Sequence, residues 1–408
     1  MTLAGIRERV EGAEIVRLAD RIDIGDGPRI VATPWPWRDA RSIPQREWLY
    51  GRTLLRGSLS LIVAPGAAGK TAFTVGQSLS LASGRNLLGQ AVWGGPKRVW
   101  LWNLEDSADE IDRLIAAGVL HWGLQPEHLE GRLFRDNAMS GAELVVAEEG
   151  ADGFKLKLDV IADLTQELRA RKIDVLTVDP FVSAHRASEN DNRMIDAIAK
   201  AFAHIAVDAN CAVQLVHHSI KIRGGEVNAD AARGASALVN AARSAQVLNR
   251  MTDEEAARFA IEEERRRRYF RVYDDKPNRA PPADQSDWFE LVSVSLGNGE
   301  NGGDGDSLPV VVPWSPPDIW DDMTPDHLRR VQAAIADGEW RKSDQASDWV
   351  GIPIAEVLGL DVERKADKSK VRKYLAEWIK GGALKEDRRK DKHGDLRPFI
   401  VVGEAVLA

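Results

Sequence analysis

Cysteine is almost absent from this chain: Cys211 is the single one among 408 residues. One thiol closes no intrachain disulfide and builds no cysteine-based zinc site. Long apolar runs are missing too. The longest, such as LSLIVA at 59–64, stop far short of the roughly 18–20 residues that span a bilayer. The opening MTLAGIRERVEGAE is charged throughout and lacks the basic-then-apolar order of a secretory signal. These absences lead us to expect a soluble cytoplasmic protein with no membrane partner. Apolar residues are 44% and charged residues 29% of the chain, ordinary for globular proteins, so wholesale disorder is excluded. At roughly 150 residues per domain the length suggests two or three domains.

The formal charge of −8 conceals an asymmetry. Between Arg364 and Arg397 thirteen basic side chains face six acidic ones, a local +7, so the remainder carries −15. A basic block in an acidic protein is a candidate polyanion-binding face or, more plainly, a solvated helix surface.

Residues 1–45 read as an irregular N-terminal arm, punctuated by Pro34 and Pro36. Trp35 and Trp37 within it suggest docking on the chain's own core or on a neighbouring subunit. From 46 to 296 short apolar runs alternate with helical patterns. LSLIVA (59–64), RVWLWNL (98–104), DVLTVD (174–179) and AVQLVHH (212–218) are of buried-strand type. Segments 72–83, 159–172 and 193–209 show 3.6-residue spacing. This alternation predicts an α/β core with a mainly parallel, doubly wound sheet. GNGENGGDGD (297–306) reads as a flexible linker or loop and opens a linker and core-edge segment, 297–320. The rest, 321–408, predicts helices at 325–338, 354–360 and 368–382 followed by a hairpin, the order of a winged helix. In the last of these helices Val371, Leu375, Trp378 and Ile379 share one face.

The strongest chemical signal is APGAAGKT, Ala64 to Thr71, between an apolar strand and a helical pattern. Backbone N–H groups along Gly66, Ala67, Ala68, Gly69 and on to Ala72 are placed to cradle phosphates at a helix N-terminus. Lys70 is expected to reach the β- and γ-phosphates and the Thr71 hydroxyl to hold Mg²⁺. Gly66 and Gly69 are expected to permit the tight backbone path. Ala64 stands where the usual pattern has glycine, a small replacement at a strand end.

Hydrolysis needs more than a phosphate loop. Asp179 closes DVLTVD and is a candidate metal-side carboxylate, or a cap for the turn before Pro180. Glu105 and Asp106 close RVWLWNL in the same way. Glu105 is a candidate general base, or one carboxylate of a helix cap. Gln214, His217 and His218 end the fourth run, where a polar group can sense the γ-phosphate or simply satisfy the core.

With these motifs in order, residues 34–320 resemble the RepA-type hexameric replicative helicases of plasmids and phages, among the RecA/DnaB-like P-loop ATPases. The resemblance is carried by PWPWRD with IPQREWLYG, APGAAGKT, LWNLEDSADE, VDPFVSAHRASENDN, VQLVHHSIK, ARGASALVNAAR, and RYFRVYDDKPNRAPP followed by DWFELV. It implies a RecA-like P-loop core, ATP and Mg²⁺ as cofactors, and a homo-oligomeric ring with single-stranded DNA in its channel. It implies that Glu105 is the catalytic base, Asp179 the second metal-side carboxylate, and His218 the γ-phosphate sensor. His218 is preferred to His217 because such motifs place a lysine three residues on, as Lys221 is here. Arg271 then resembles the finger donated in trans, with Lys276 assisting, although RRRRYFR offers several arginines. A finger from a neighbour requires an oligomer, and a head-to-tail interface that closes gives a ring.

Two regions are candidate DNA contacts. The segment 219–236 carries Lys221, Arg223 and Arg233 directly after the sensor strand, facing a channel or merely solvent. In the C-terminal block, Lys370, Arg372 and Lys373 decorate a helix, and Arg388 and Arg389 sit near the hairpin tip. That block reads as a duplex-binding winged helix or a protein-contact module. RepA-type helicases need no such tail, so the chain departs from the family there. The expected function is an ATP-driven motor on single-stranded DNA, a RepA-like helicase of a mobile element. The alternative is an ATP-switched DNA-binding recruitment or recombination-mediator factor that unwinds nothing.

Overall fold

The computed structural model describes residues 31–138, 143–151, 153–219, 236–259, 261–275, 286–300, 303, 305–317, 320, 323–390 and 395–404. The chain divides into two units, Met1–Gln45 and Arg46–Ala408. In the first, a short 3₁₀ turn, Ala40–Ser42, is capped by Asp39, whose carboxylate accepts from the Arg41 N–H. Trp35 and Trp37 are exposed and meet edge to face, ring centroids 5.7 Å apart.

The second unit begins with β1 (Trp48–Tyr50), β2 (Leu54–Leu55), β3 (Ser58–Ala64), α1 (Lys70–Ser83), β4 (Val99–Asn103) and α2 (Ala108–Trp122). Next come α3 (Pro126–Leu129), β5 (Leu133–Asn137), the hairpin β6 (Ala147–Gly150) and β7 (Gly153–Leu156), α4 (Leu158–Ala170) and β8 (Val175–Asp179). Then follow α5 (Asn192–Asp208), β9 (Ala212–His218), α6 (Ser236–Ala241), β10 (Ser244–Arg250), α7 (Asp253–Arg258), α8 (Glu263–Arg266), β11 (Tyr269–Asp274), β12 (Asp287–Ser295) and β13 (Ser307–Pro313). The chain continues through α9 (Pro325–Ala336), β14 (Trp340–Arg341), α10 (Gly351–Leu358), α11 (Lys365–Lys380), β15 (Leu384–Lys390) and β16 (Leu396–Val402).

One nine-stranded sheet organises the core, in the order β13-β12-β11-β10-β3-β9-β8-β4-β5. Strands β10, β3, β9, β8, β4 and β5 run parallel to one another, whereas β11, β12 and β13 add antiparallel. The expected α/β architecture of RecA-like type is therefore present. The four apolar runs are β3, β4, β8 and β9, and every residue of the first three is buried. Parallel strands covered on both faces read as continuous apolar runs, which is why these four were legible.

Helix α1 is buried on nearly every side. Thr74, Ser78 and Ser83 survive burial by donating to carbonyls of the preceding turn, as Ser78 does to Thr74 at 2.7 Å and Ser83 to Leu79 at 2.6 Å. Helix α2 lies close against it: a Cβ at Gly118 would stand 2.4 Å from Leu79 Cδ1.

Of the two readings of GNGENGGDGD, loop and linker, the structure has the loop. It turns the hairpin from β12 to β13, closed by Leu296 N–H to Asp306 O at 2.9 Å and Asn298 Nδ2 to Asp306 at 3.0 Å. The core sheet consequently extends to Pro313, beyond a boundary placed at 296. Composition cannot separate a Gly-rich hairpin turn from a tether, because both need polar, conformationally free residues.

The C-terminal segment has a core of its own, with Val331, Trp349, Ile354, Val371, Trp378 and Leu384 among its buried residues. Its three helices are followed by the hairpin β15–β16, and β14 pairs on β16 to complete a three-stranded sheet. Thr324 caps α9 ahead of Pro325 at the first helical position.

Candidate active site

The phosphate loop leaves the carboxyl end of β3 and enters α1 at Lys70. Two residues take left-handed backbone there, Gly69 at φ 86° and Ala67 at φ 55°. Gly66, expected to be the second permissive position, has no such φ, and a Cβ on it would meet no protein atom. The turn falls one residue later, at Ala67, where the Cβ makes left-handed backbone a strained conformation. At Gly69 a Cβ would also press on Leu291 of β12, 3.3 Å away.

Parallel register brings the other strand ends to the same edge. Ala64 lies opposite His218, and Asn103 opposite Asp179. A backbone bond from Leu104 N–H to Asp179 O at 2.7 Å and one from Ser219 N–H to Ala64 O at 3.0 Å hold that edge together. Lys70, Thr71, Glu105, Asp179 and His218, far apart in sequence, therefore converge.

Their contacts form two connected sets. Thr71 Oγ1 donates to Asp179 Oδ2 at 3.1 Å. Lys70 Nζ stands 3.3 Å from the Pro65 carbonyl and 2.8 Å from His218 Nδ1. An ammonium only donates, so Nδ1 must accept and the His218 proton sits on Nε2. Nε2 in turn faces Glu105 Oε1 at 3.7 Å. Burial, and then the Lys70 charge, push His218 below its ordinary pKa, which keeps it neutral. Burial pushes the Lys70 ammonium down, opposed by the carboxylates of Asp179 and Glu105. Burial also pushes the Asp179 carboxyl up to about 6, against the pull of Lys70 and Thr71.

Asn103 organises Glu105 and went unnoticed in the sequence. Its buried Oδ1 accepts from the Glu105 N–H at 2.9 Å and the Asp106 N–H at 2.7 Å, while its Nδ2 donates to Asp106 at 3.1 Å. This Asx turn directs Asp106 inward and leaves Glu105 exposed at the site. An asparagine ending an apolar run just before LED was the available signal. Gln214 belongs to the core, accepting from Thr177 Oγ1 at 3.3 Å. His217 is buried beside Phe181, 4.0 Å from Glu189.

Arg271 lies elsewhere, on β11, two strands from β3. It pairs with Glu255 at 3.0 Å and lies near the rings of Tyr273 and Trp288. Reaching a neighbour would mean breaking that pair. Lys276, Lys221, Arg223 and Arg233 lie outside the described residues. In the C-terminal segment Arg372 pairs with Asp344, and Lys370 stands over the Tyr374 ring at 6.0 Å. Lys373 is half-buried, and Arg388 and Arg389 are exposed, Arg389 bonding Asp387 at 2.7 Å. Such exposed pairs are weak enough for phosphate to compete with them.

The hydroxyl of Thr71 beside a buried carboxylate is a donor set of the hard-oxygen kind that Mg²⁺ accepts, so the residues fit that ion. Among the described residues no group of three or more His, Cys, Asp or Glu side chains could hold a metal unaided. Phosphate oxygens and water would have to complete the shell.

The raised pKa of Asp179 predicts a stability cost. The folded carboxyl holds its proton up to about pH 6, the unfolded one only to about 3.8. Stability is therefore present at low pH and is lost as pH rises through that window. The cost at neutral pH is at most about 3 kcal/mol. Asp179→Asn is expected to raise the melting temperature of the nucleotide-free protein by several degrees at pH 7.5, the gain fading towards pH 4. Hydrolysis should be lost in the same variant. Thermal melts across pH check this, and an unchanged or lower melting point at pH 7.5 would contradict it.

Residues 27–224 match the family model of the AAA domain, a P-loop ATPase family. The match takes in the phosphate loop, Glu105, Asp179 and His218 and stops before β10. The chain thus carries a P-loop ATPase domain, of a family that binds nucleotide with a divalent metal, usually Mg²⁺. Among the described residues no helix is long and apolar enough to cross a membrane.

Proposed function

We propose that this P-loop ATPase is a ring-forming, ATP-driven motor on single-stranded DNA, a RepA-like helicase of a mobile element. The observation that carries the reading is the chain Glu105–His218–Lys70 beside Thr71 and Asp179. Loop N–H groups and Lys70 bind the β- and γ-phosphates, and Glu105 accepts the proton of the attacking water. Thr71 and Asp179 would hold Mg²⁺, which when bound supplies charge to neutralise the phosphates. Phosphate competes with His218 for Lys70, so nucleotide occupancy changes what His218 bonds. His218 ends β9, and the chain leaves that strand directly into the segment with Lys221, Arg223 and Arg233, assigned here to DNA in the channel. Arg271 or a neighbouring basic residue completes the site of an adjacent subunit, hence a hexameric ring.

The test is the ATPase rate of the intact protein with and without single-stranded DNA, for wild type and Arg271→Ala. Stimulation of at least about tenfold, lost in the variant, is the expected result for electrostatic completion in trans. Slow hydrolysis indifferent to DNA would overturn the motor reading.

A second reading draws on the C-terminal segment, with its own cluster of buried apolar residues, basic α11 and an exposed basic hairpin. Read as a winged helix, it suits duplex phosphates and an ATP-switched recruitment factor. Tight, salt-sensitive duplex binding weakened by Arg388→Glu with Arg389→Glu, without strand separation, favours it.

A further inference from the structure

Arg250, the last residue of β10, is a charged group beside the phosphate loop that the catalytic set does not use. Strand β10 runs parallel to β3, with Val247 opposite Val63, so Arg250 emerges at the edge where the loop begins. Its guanidinium donates to the carbonyl of Ala67, in the middle of the loop. It is exposed, and no ion pair engages it among the described residues. Arg271 differs on each count, since Glu255 already holds it.

The sheet order then orients a bound nucleotide. His218, Asp179 and Glu105 stand at the ends of β9, β8 and β4, all on one side of β3. The phosphate to be hydrolysed belongs on that side. The phosphate chain lies along the loop, so its nucleoside end must emerge on the other side, where β10 ends. A guanidinium is suited to phosphate there, because its planar fork binds two oxygens at once.

We propose that Arg250 is a nucleotide-binding residue acting in cis, its guanidinium exchanging the Ala67 carbonyl for the α-phosphate of the bound nucleotide. The assignment rests on a nucleotide occupying the loop. It is tested by titrating the full-length protein with fluorescent ATP and ADP in Mg²⁺, with inorganic tripolyphosphate as competitor. Arg250→Gln should weaken ATP, ADP and tripolyphosphate alike by at least about tenfold, as expected for a lost hydrogen bond to a charged group. KM should rise with kcat changed less than about threefold, and Arg250→Lys should recover part of the affinity. Matching melting curves for the two variants and wild type confirm that folding is intact. If Arg250→Gln fails to fold, Arg250→Lys still tests the claim, since a lysine cannot reproduce the two-oxygen fork. Unchanged affinity for all three ligands would overturn the proposal, leaving Arg250 a tether for the loop. Weakened nucleotides with unchanged tripolyphosphate would also overturn it, by moving the contact to the base or ribose. Wild type that binds no nucleotide at all, with no further loss in Lys70→Ala, would instead remove the site reading itself.

Discussion

Glu105→Gln is expected to slow ATP hydrolysis by about 10²- to 10⁴-fold, the usual contribution of a positioned general base, while nucleotide still binds. Glutamine keeps the shape and the backbone anchor, because Asn103 bonds the Glu105 N–H and not its side chain. What disappears is the proton acceptor facing His218 Nε2 at 3.7 Å. Single-turnover hydrolysis together with equilibrium binding of fluorescent ATP separates the two effects. Asp106→Asn is the matched control, since that carboxylate is turned back onto Asn103 Nδ2. Activity within tenfold of wild type in Glu105→Gln, or an equal loss in Asp106→Asn, would assign the base elsewhere.

Lys70→Ala is expected to abolish detectable hydrolysis and to weaken ATP by about 10²-fold or more. Removing one partner of a buried charge contact costs roughly 2–5 kcal/mol, partly because the other partner is left buried. The side chain is buried, and it bonds both the loop carbonyl of Pro65 and His218. Asp179 would feel the loss as well, because Lys70 is the largest influence holding its pKa down. Fold stability should be little affected, since burial already disfavours the ammonium. Calorimetric titration with ATP checks the binding and a thermal melt checks the fold. ATP affinity within threefold of wild type would remove Lys70 from the phosphate site.

Much of the core was legible in the sequence. Strands β3, β4, β8 and β9 are covered on both faces and appear as unbroken apolar runs. The antiparallel strands β11 and β12 were not predicted as strands. Their residues mix buried, half-buried and exposed positions without a regular period, and RYFRVYD carries arginine and aspartate into the sheet. Cross-strand aromatic contacts such as Phe270 on Phe289, 5.5 Å between centroids, support these strands instead. Such pairings join residues distant in sequence and leave no local periodicity.

The same division runs through the site. The residue types and their order were set by the sequence alone: a Gly-rich loop with lysine and threonine, carboxylates closing two apolar runs, a histidine closing a third. Each is a local pattern, because a polar residue at the carboxyl end of a buried strand stands out against its neighbours. Tertiary structure decided which of them meet. It placed His218 rather than His217 against Lys70, since alternate residues of a strand point to opposite faces. It moved the left-handed turn to Ala67, turned Asp106 onto Asn103, paired Arg271 with Glu255 and brought Arg250 to the loop. The meeting of His218 with Lys70 and of Arg250 with the loop depends on strand order and register, which join segments more than a hundred residues apart and leave no local pattern.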